Sequence, residues 1–125
     1  MSEEAGGESL YALYQRGMSL LEWREFEQAV VPLSKAARIA PEKSSIREAL
    51  GRAYFHARRY PEAAREFAAV VERYPVNDYA HFCLGRALTL SGQRDRARRH
   101  LAIAACLRPD RRDYRHYRER ASRGA

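Results

Sequence analysis

The 34 residues SSIREALGRAYFHARRYPEAAREFAAVVERYPVN, from Ser44 to Asn77, decide how this chain folds. Gly51 in this stretch is matched by Gly17 and Gly85, Ala63 by Ala29 and Ala97, and Pro75 by Pro41 and Pro109, always 34 positions apart. Three residue types holding one register over three copies mark a tandem repeat, and a period of this size points to stacked supersecondary units. Each unit reads as two helices joined by a short turn. The first starts near residue 9, 43 or 77 and carries the glycine near its middle; the second starts near residue 25, 60 or 94. Its buried face begins at the recurrent alanine and continues at helical spacing: Ala29, Leu33, Ala36, then Ala63, Phe67, Val70, then Ala97, Leu101, Ala104.

The recurrent residues have physical meanings. Glycine inside a helix costs about 1 kcal/mol against alanine, so its return at one position implies close approach of a neighbouring backbone. A side chain larger than alanine at position 29, 63 or 97 would overpack the helix crossing by ~1–3 kcal/mol. The prolines at 41, 75 and 109 end the second helices, because the residue before a proline disfavours the α region. Pro61 stands at a helix start, where its missing N–H is harmless. Pro32 falls inside the second helix of the first unit, where it removes one backbone bond and should kink the helix.

The pattern resembles the tetratricopeptide repeat family, whose units carry Leu-Gly, then Tyr, Ala, Phe, Ala and Pro at fixed offsets. The second unit matches best, with Leu50-Gly51, Tyr54, Tyr60, Ala63, Phe67 and Pro75. The third offers Leu84-Gly85, Leu88, Ala97, Leu101, Ala104 and Pro109, and the first Gly17, Leu20, Phe26, Ala29, Leu33, Ala36 and Pro41. The resemblance implies an all-α fold: a right-handed α-solenoid of three helix-turn-helix repeats, at about 10–43, 44–77 and 78–111, within a domain covering 9–110. Some positions depart from the family. Its large apolar residue early in the first helix is Leu13, Arg47 and His81 here, and Arg16 replaces the leucine before Gly17. Residues 1–8 are expected to be disordered. Residues 111–125 are expected to form a basic capping helix and tail, because a solenoid exposes its last apolar face unless something covers it. Tyr114, Tyr117 and Ala121 share one helical face suited to that task.

The chain's formal charge of +7 is concentrated. Residues 94–125 hold 11 arginines and 4 acidic residues, whereas residues 1–93 balance with 12 of each sign. Only Lys35 and Lys43 are lysines, a bias that hints at a GC-rich bacterial source. No run approaches the ~20 apolar residues of a membrane span, and the N-terminus has neither a basic nor an apolar signal segment, so the expected location is the cytoplasm. Cys83 and Cys106 have no metal-ligand spacing and read as small packing residues.

No pattern points to catalysis, and no cofactor is expected. There is no Gly-rich phosphate loop, no nucleophile–base arrangement and no cluster of metal ligands. His56, His81, His100 and His116 read as surface or packing residues. The resemblance instead implies a non-enzymatic scaffold or adaptor whose first helices line a concave groove for a partner peptide or helix. The family's groove-facing offsets fall on Tyr11, Tyr14, Met18, Arg52, Phe55, Tyr79, Phe82 and Arg86. Aromatic residues and arginine dominate binding hot spots, although first helices also pack on neighbouring repeats, so part of this set can equally be core. The family's clamp for chaperone C-termini uses Lys, Asn, Asn, Lys and Arg; the matching positions are Tyr14, Met18, Ala49, Tyr79 and Cys83, and none agrees.

Two other readings stay open. Arg111, Arg112, Arg115 and Arg118, interleaved with Tyr114, His116 and Tyr117, form a basic strip that could hold nucleic acid or an acidic protein; they could equally be a solvated cap. An uncovered end face over Leu101 and Ala105 would favour a homodimer.

Overall fold

The computed structural model describes residues 8–124, which form seven helices and no strand among the described residues. They are α1 (Leu10–Glu22), α2 (Phe26–Ile39), α3 (Ser44–His56), α4 (Tyr60–Arg73), α5 (Asp78–Leu90), α6 (Arg94–Leu107) and α7 (Arg112–Ser122). The expectation for residues 1–8 lies outside the described residues except at Glu8, which pairs with Arg16 of α1. Each helix packs against the next in sequence, and α1 also touches α3. The result is a helical solenoid built from α1–α2, α3–α4 and α5–α6, with α7 on its end.

Local chemistry sets the helix ends. The Ser9 hydroxyl accepts the Ala12 N–H at 3.2 Å, and the Asn77 side-chain oxygen accepts the Ala80 N–H at 3.0 Å, capping α1 and α5. Each helix pair turns through one residue in the left-handed region: Arg24 (φ 60°), Arg58 (φ 65°) and Gly92 (φ 83°). The following N–H then closes the helix end, from Glu25 to Leu20 O at 2.8 Å, Arg59 to Tyr54 O at 2.8 Å and Gln93 to Leu88 O at 2.9 Å. Glycine is the residue suited to this conformation, and only the third turn has it.

The recurrent glycines mark a close approach, but by a side chain and not by the neighbouring backbone that the sequence suggested. A methyl group on Gly17 would lie 2.5 Å from Leu33, on Gly51 2.7 Å from Phe67 and on Gly85 2.6 Å from Leu101. In each repeat the second helix drives one large side chain into the space the glycine leaves. Ala29, Ala63 and Ala97 beside these crossings are at most 1 % exposed. Pro32 does not interrupt α2, and its ring is among the fully buried side chains. The carbonyl it leaves without a helical partner belongs to Gln28, an exposed residue.

The departures from the family pattern have a structural use. Arg47 Nε donates to Pro41 O at 2.8 Å, and its Nη1 to Glu66 at 2.9 Å. One repeat later, His81 Nε2 donates to Pro75 O at 2.7 Å, and its Nδ1 lies 3.1 Å from Nδ1 of His100. Arg115 Nη1 donates to Pro109 O at 2.6 Å. The same position thus ties each inter-repeat loop to the following helix, and its presence in α7 shows that α7 is laid down as a fourth first-helix.

The apolar core forms three clusters along the stack, linked by the partly buried Tyr54 and Cys83, and the last lies under α7. Tyr114 is fully buried, stacks on Phe82 with ring centroids 4.6 Å apart and donates its hydroxyl to Asp78 at 2.7 Å. Leu101 and Ala105, both 2 % exposed, lie in the same cluster. The uncovered end face on which the homodimer reading depended is therefore closed by α7. Glu119 of α7 stands 34 positions after Gly85 and is exposed.

Candidate functional site

Three depressions lie in a row along the face built by α1, α3, α5 and α7. Met18, Leu21 and Arg52 line the first, between α1 and α3. Arg52, Phe55, Tyr79, Cys83 and Arg86 line the second, between α3 and α5. Arg86, Leu90, Arg94, Leu101, Tyr117 and Arg120 line the third, between α5 and α7. Arg52 belongs to both the first and the second, and Arg86 to both the second and the third. Neighbouring depressions thus adjoin one another, and the row forms a track along this face. Its joints are arginines at the same repeat position, and Arg120 falls at that position again in α7. The first depression measures about 430 Å³, and the second and third enclose about 120 and 140 Å³. The latter two lie below the usual ~300–1,000 Å³ of a small-molecule pocket, and suit single side chains of a longer ligand.

Charge and burial give the track its character. The Arg86 guanidinium carbon lies 5.1 Å from the Phe55 ring centroid and 4.6 Å from that of Tyr117. Asn77 Nδ2 donates to Glu48 at 2.7 Å, which occupies the acidic group closest to Arg52 along α3. His56 stacks on Phe26 at 4.7 Å; burial lowers its pKa, helped by the positive charges of Arg52, Arg24 and Arg86. Burial pushes the Cys83 thiol up to about 12 and raises the Tyr79 phenol as well. Cys83 therefore stays a protonated thiol at neutral pH, with none of the thiolate character of a nucleophile. Among the described residues no group of three His, Cys, Asp or Glu side chains could hold a metal ion.

The residues expected from the sequence divide into two groups. Met18, Arg52, Phe55, Tyr79 and Arg86 line the track. Phe82 touches it only at an edge: it is 9 % exposed and held between Tyr114 and Tyr117 at 4.6 and 5.4 Å, so it is chiefly a core residue. Tyr14 is half-buried against the first core cluster. Tyr11, 72 % exposed, takes a hydrogen bond from Gln15 at 2.8 Å and lines none of the three depressions. Tyr117 and Arg120 were missed, although the 34-residue step from Cys83 and Arg86 leads directly to them.

The basic strip is partly consumed by its own surroundings. Arg111 is bidentate to Asp113 at 3.1 and 2.7 Å and lies 4.5 Å over the Tyr114 ring. Arg115 holds the Pro109 carbonyl, and only Arg112 and Arg118 of the four make no hydrogen bond or ion pair among the described residues. Among the described residues no helix is long and apolar enough to cross a membrane.

A tetratricopeptide repeat family model matches residues 14–78 and again 48–113. No curated protein matches the sequence. Solved structures match the fold closely. The first TPR of Spaghetti (RPAP3), bound to the HSP90 peptide SRMEEVD, superposes with a TM-score of 0.85 at 15% identity over 92% of this chain and 91% of that one. MamA from Desulfovibrio magneticus RS-1 gives 0.86 at 22% identity, over 90% of this chain and 64% of that one. YrrB, a TPR protein with an unusual peptide-binding site, gives 0.84 at 24% identity, over 93% and 60%. This chain thus spans less than two thirds of MamA and of YrrB.

Proposed function

The chain belongs to the tetratricopeptide repeat family, and from that premise we propose that it is a non-enzymatic interaction module that binds a partner peptide or helix along the row of depressions. Proteins of this family generally mediate protein–protein interaction and peptide binding. One observation carries the reading: three depressions that share arginines and follow the repeat register form a track long enough for an extended or helical segment. Its lining of Phe55, Tyr79, Arg52 and Arg86 is of the residue types that supply binding hot spots. Similar folds that hold peptides, the Spaghetti domain with its HSP90 peptide and YrrB, support the mode of binding. They do not identify the partner here.

Arg52 is exposed and Tyr79 is 37 % exposed with one side of its ring against Phe67, so the variant carrying Tyr79→Ala with Arg52→Ala is first shown to be folded by circular dichroism. Affinity capture from native cell extract, with wild type and this double variant compared by mass spectrometry, should show partners retained by wild type and lost by the variant. Equal retention by both would remove the groove as the binding face. Loss only on Arg112→Gln with Arg118→Gln would move binding to the basic helix instead.

A further inference from the structure

We propose that Arg86 is the anion receptor of this track, and that it seats a glutamate or aspartate carboxylate of an acidic peptide segment between the last repeat and α7. The inference rests on the groove reading and names the chemistry of the partner. Arg86 sits on α5, and aromatic rings reach its guanidinium from the helices on either side, Phe55 from α3 at 5.1 Å and Tyr117 from α7 at 4.6 Å. Such contacts fix the group by cation–π attraction. A guanidinium carries a fork of N–H donors, and contacts with ring faces do not supply those donors with a hydrogen-bond acceptor. Arg86 makes no hydrogen bond and no ion pair among the described residues. Among the described residues no side-chain nitrogen or oxygen is sealed from solvent without a partner, so the unused donors of Arg86 keep access to solvent.

The surroundings select the ligand. Arg94 and Arg120 line the same depression, and no acidic residue does. Arg120 lies 5.7 Å over the Tyr117 ring, and Arg94 donates to the Gly124 carbonyl at 3.2 Å with its other donors left over. Three cations thus face one hollow without a counter-charge, which favours an anion there. The floor is apolar, with Leu90, Leu101 and Ala121. A side chain with a hydrocarbon stem and a terminal carboxylate matches floor and rim together. Bidentate pairing of arginine with a carboxylate is geometrically specific and charge-assisted. A nucleic-acid strand fits less well, because it needs free aromatic faces for stacking and Tyr117 already carries Arg86 and Arg120.

The experiment selects peptides from a random dodecapeptide display library on the chain of residues 1–125, and on Arg86→Gln and Arg86→Lys, each first shown to be folded by circular dichroism. The wild-type pool should be enriched in Asp or Glu beside an apolar residue, and the enriched peptides should weaken when that acid is changed to its amide. They should bind Arg86→Gln about 10–100-fold less tightly. Arg86→Lys should restore only part of the loss, because lysine has the charge without the fork. Added salt should weaken the wild-type complex more than the Arg86→Gln complex. A pool without acidic enrichment that still depends on Tyr79 and Arg52 would overturn the receptor and leave the groove standing. A pool that ignores Tyr79, Arg52 and Arg86 alike would overturn both.

Discussion

Replacing Gly51 with alanine tests the packing that sets the whole stack. Helix propensity alone says that the change should stabilise α3, by up to about 1 kcal/mol. The tertiary contact says the opposite. The new methyl would lie 2.7, 2.8 and 3.1 Å from three atoms of the Phe67 ring. Carbon atoms in contact sit at about 3.5–4.0 Å, so the ring must retreat by roughly 1 Å. Phe67 is 1 % exposed, its ring meets Tyr79 edge-on at 6.4 Å, and the space it can move into is the second depression, so the shift also disturbs the track. Overpacking of this kind costs about 1–3 kcal/mol, which set against the propensity gain leaves a net loss of up to about 2 kcal/mol. Urea denaturation followed by circular dichroism should show the midpoint fall at unchanged m-value. The decisive comparison is the same substitution in a Phe67→Val background. There the methyl finds space, and Gly51→Ala should become neutral or stabilising, a coupling of about 1–2 kcal/mol. A Gly51→Ala protein more stable than wild type, or an equal penalty in both backgrounds, would refute the argument.

Three further outcomes follow from the structure. Arg58→Gly relieves a left-handed residue with no side-chain contact of note, and should raise stability by about 0.5–1 kcal/mol in the same denaturation assay. Tyr114→Phe keeps the stacking on Phe82 but loses the hydrogen bond to Asp78; it should cost about 1 kcal/mol and raise amide exchange first in α7. Burial foremost, then the charges of His81, Arg99 and Arg96, lowers the pKa of His100 to about 4 from its ordinary 6.5. The unfolded chain therefore binds the extra proton first, so this contribution is complete above pH 6.5 and is lost as pH falls toward 4. The loss should be about 1 kcal/mol once screening at this half-exposed ring is allowed for, and His100→Gln should flatten the pH dependence of the unfolding midpoint over that range.

The repeat register, the helix limits and the role of α7 were legible in the chain because they depend on local rules repeated three times. Glycine and alanine at fixed steps mark crossings, prolines mark ends, and Tyr114, Tyr117 and Ala121 mark the covered face. The partition of the aromatic residues was not legible. Periodicity places Phe82 and Tyr79 on neighbouring turns of one helix, yet Phe82 is 9 % exposed and Tyr79 37 %. The difference arises because Tyr114, 32 positions after Phe82, lies across that ring and leaves Tyr79 uncovered. The setting of Arg86 is likewise a product of distance in sequence, with Phe55 and Tyr117 arriving from helices 31 residues to either side. A helical period says which face a side chain points from. What it meets there depends on the side chain that the adjacent helix delivers, and that is a property of the assembled stack.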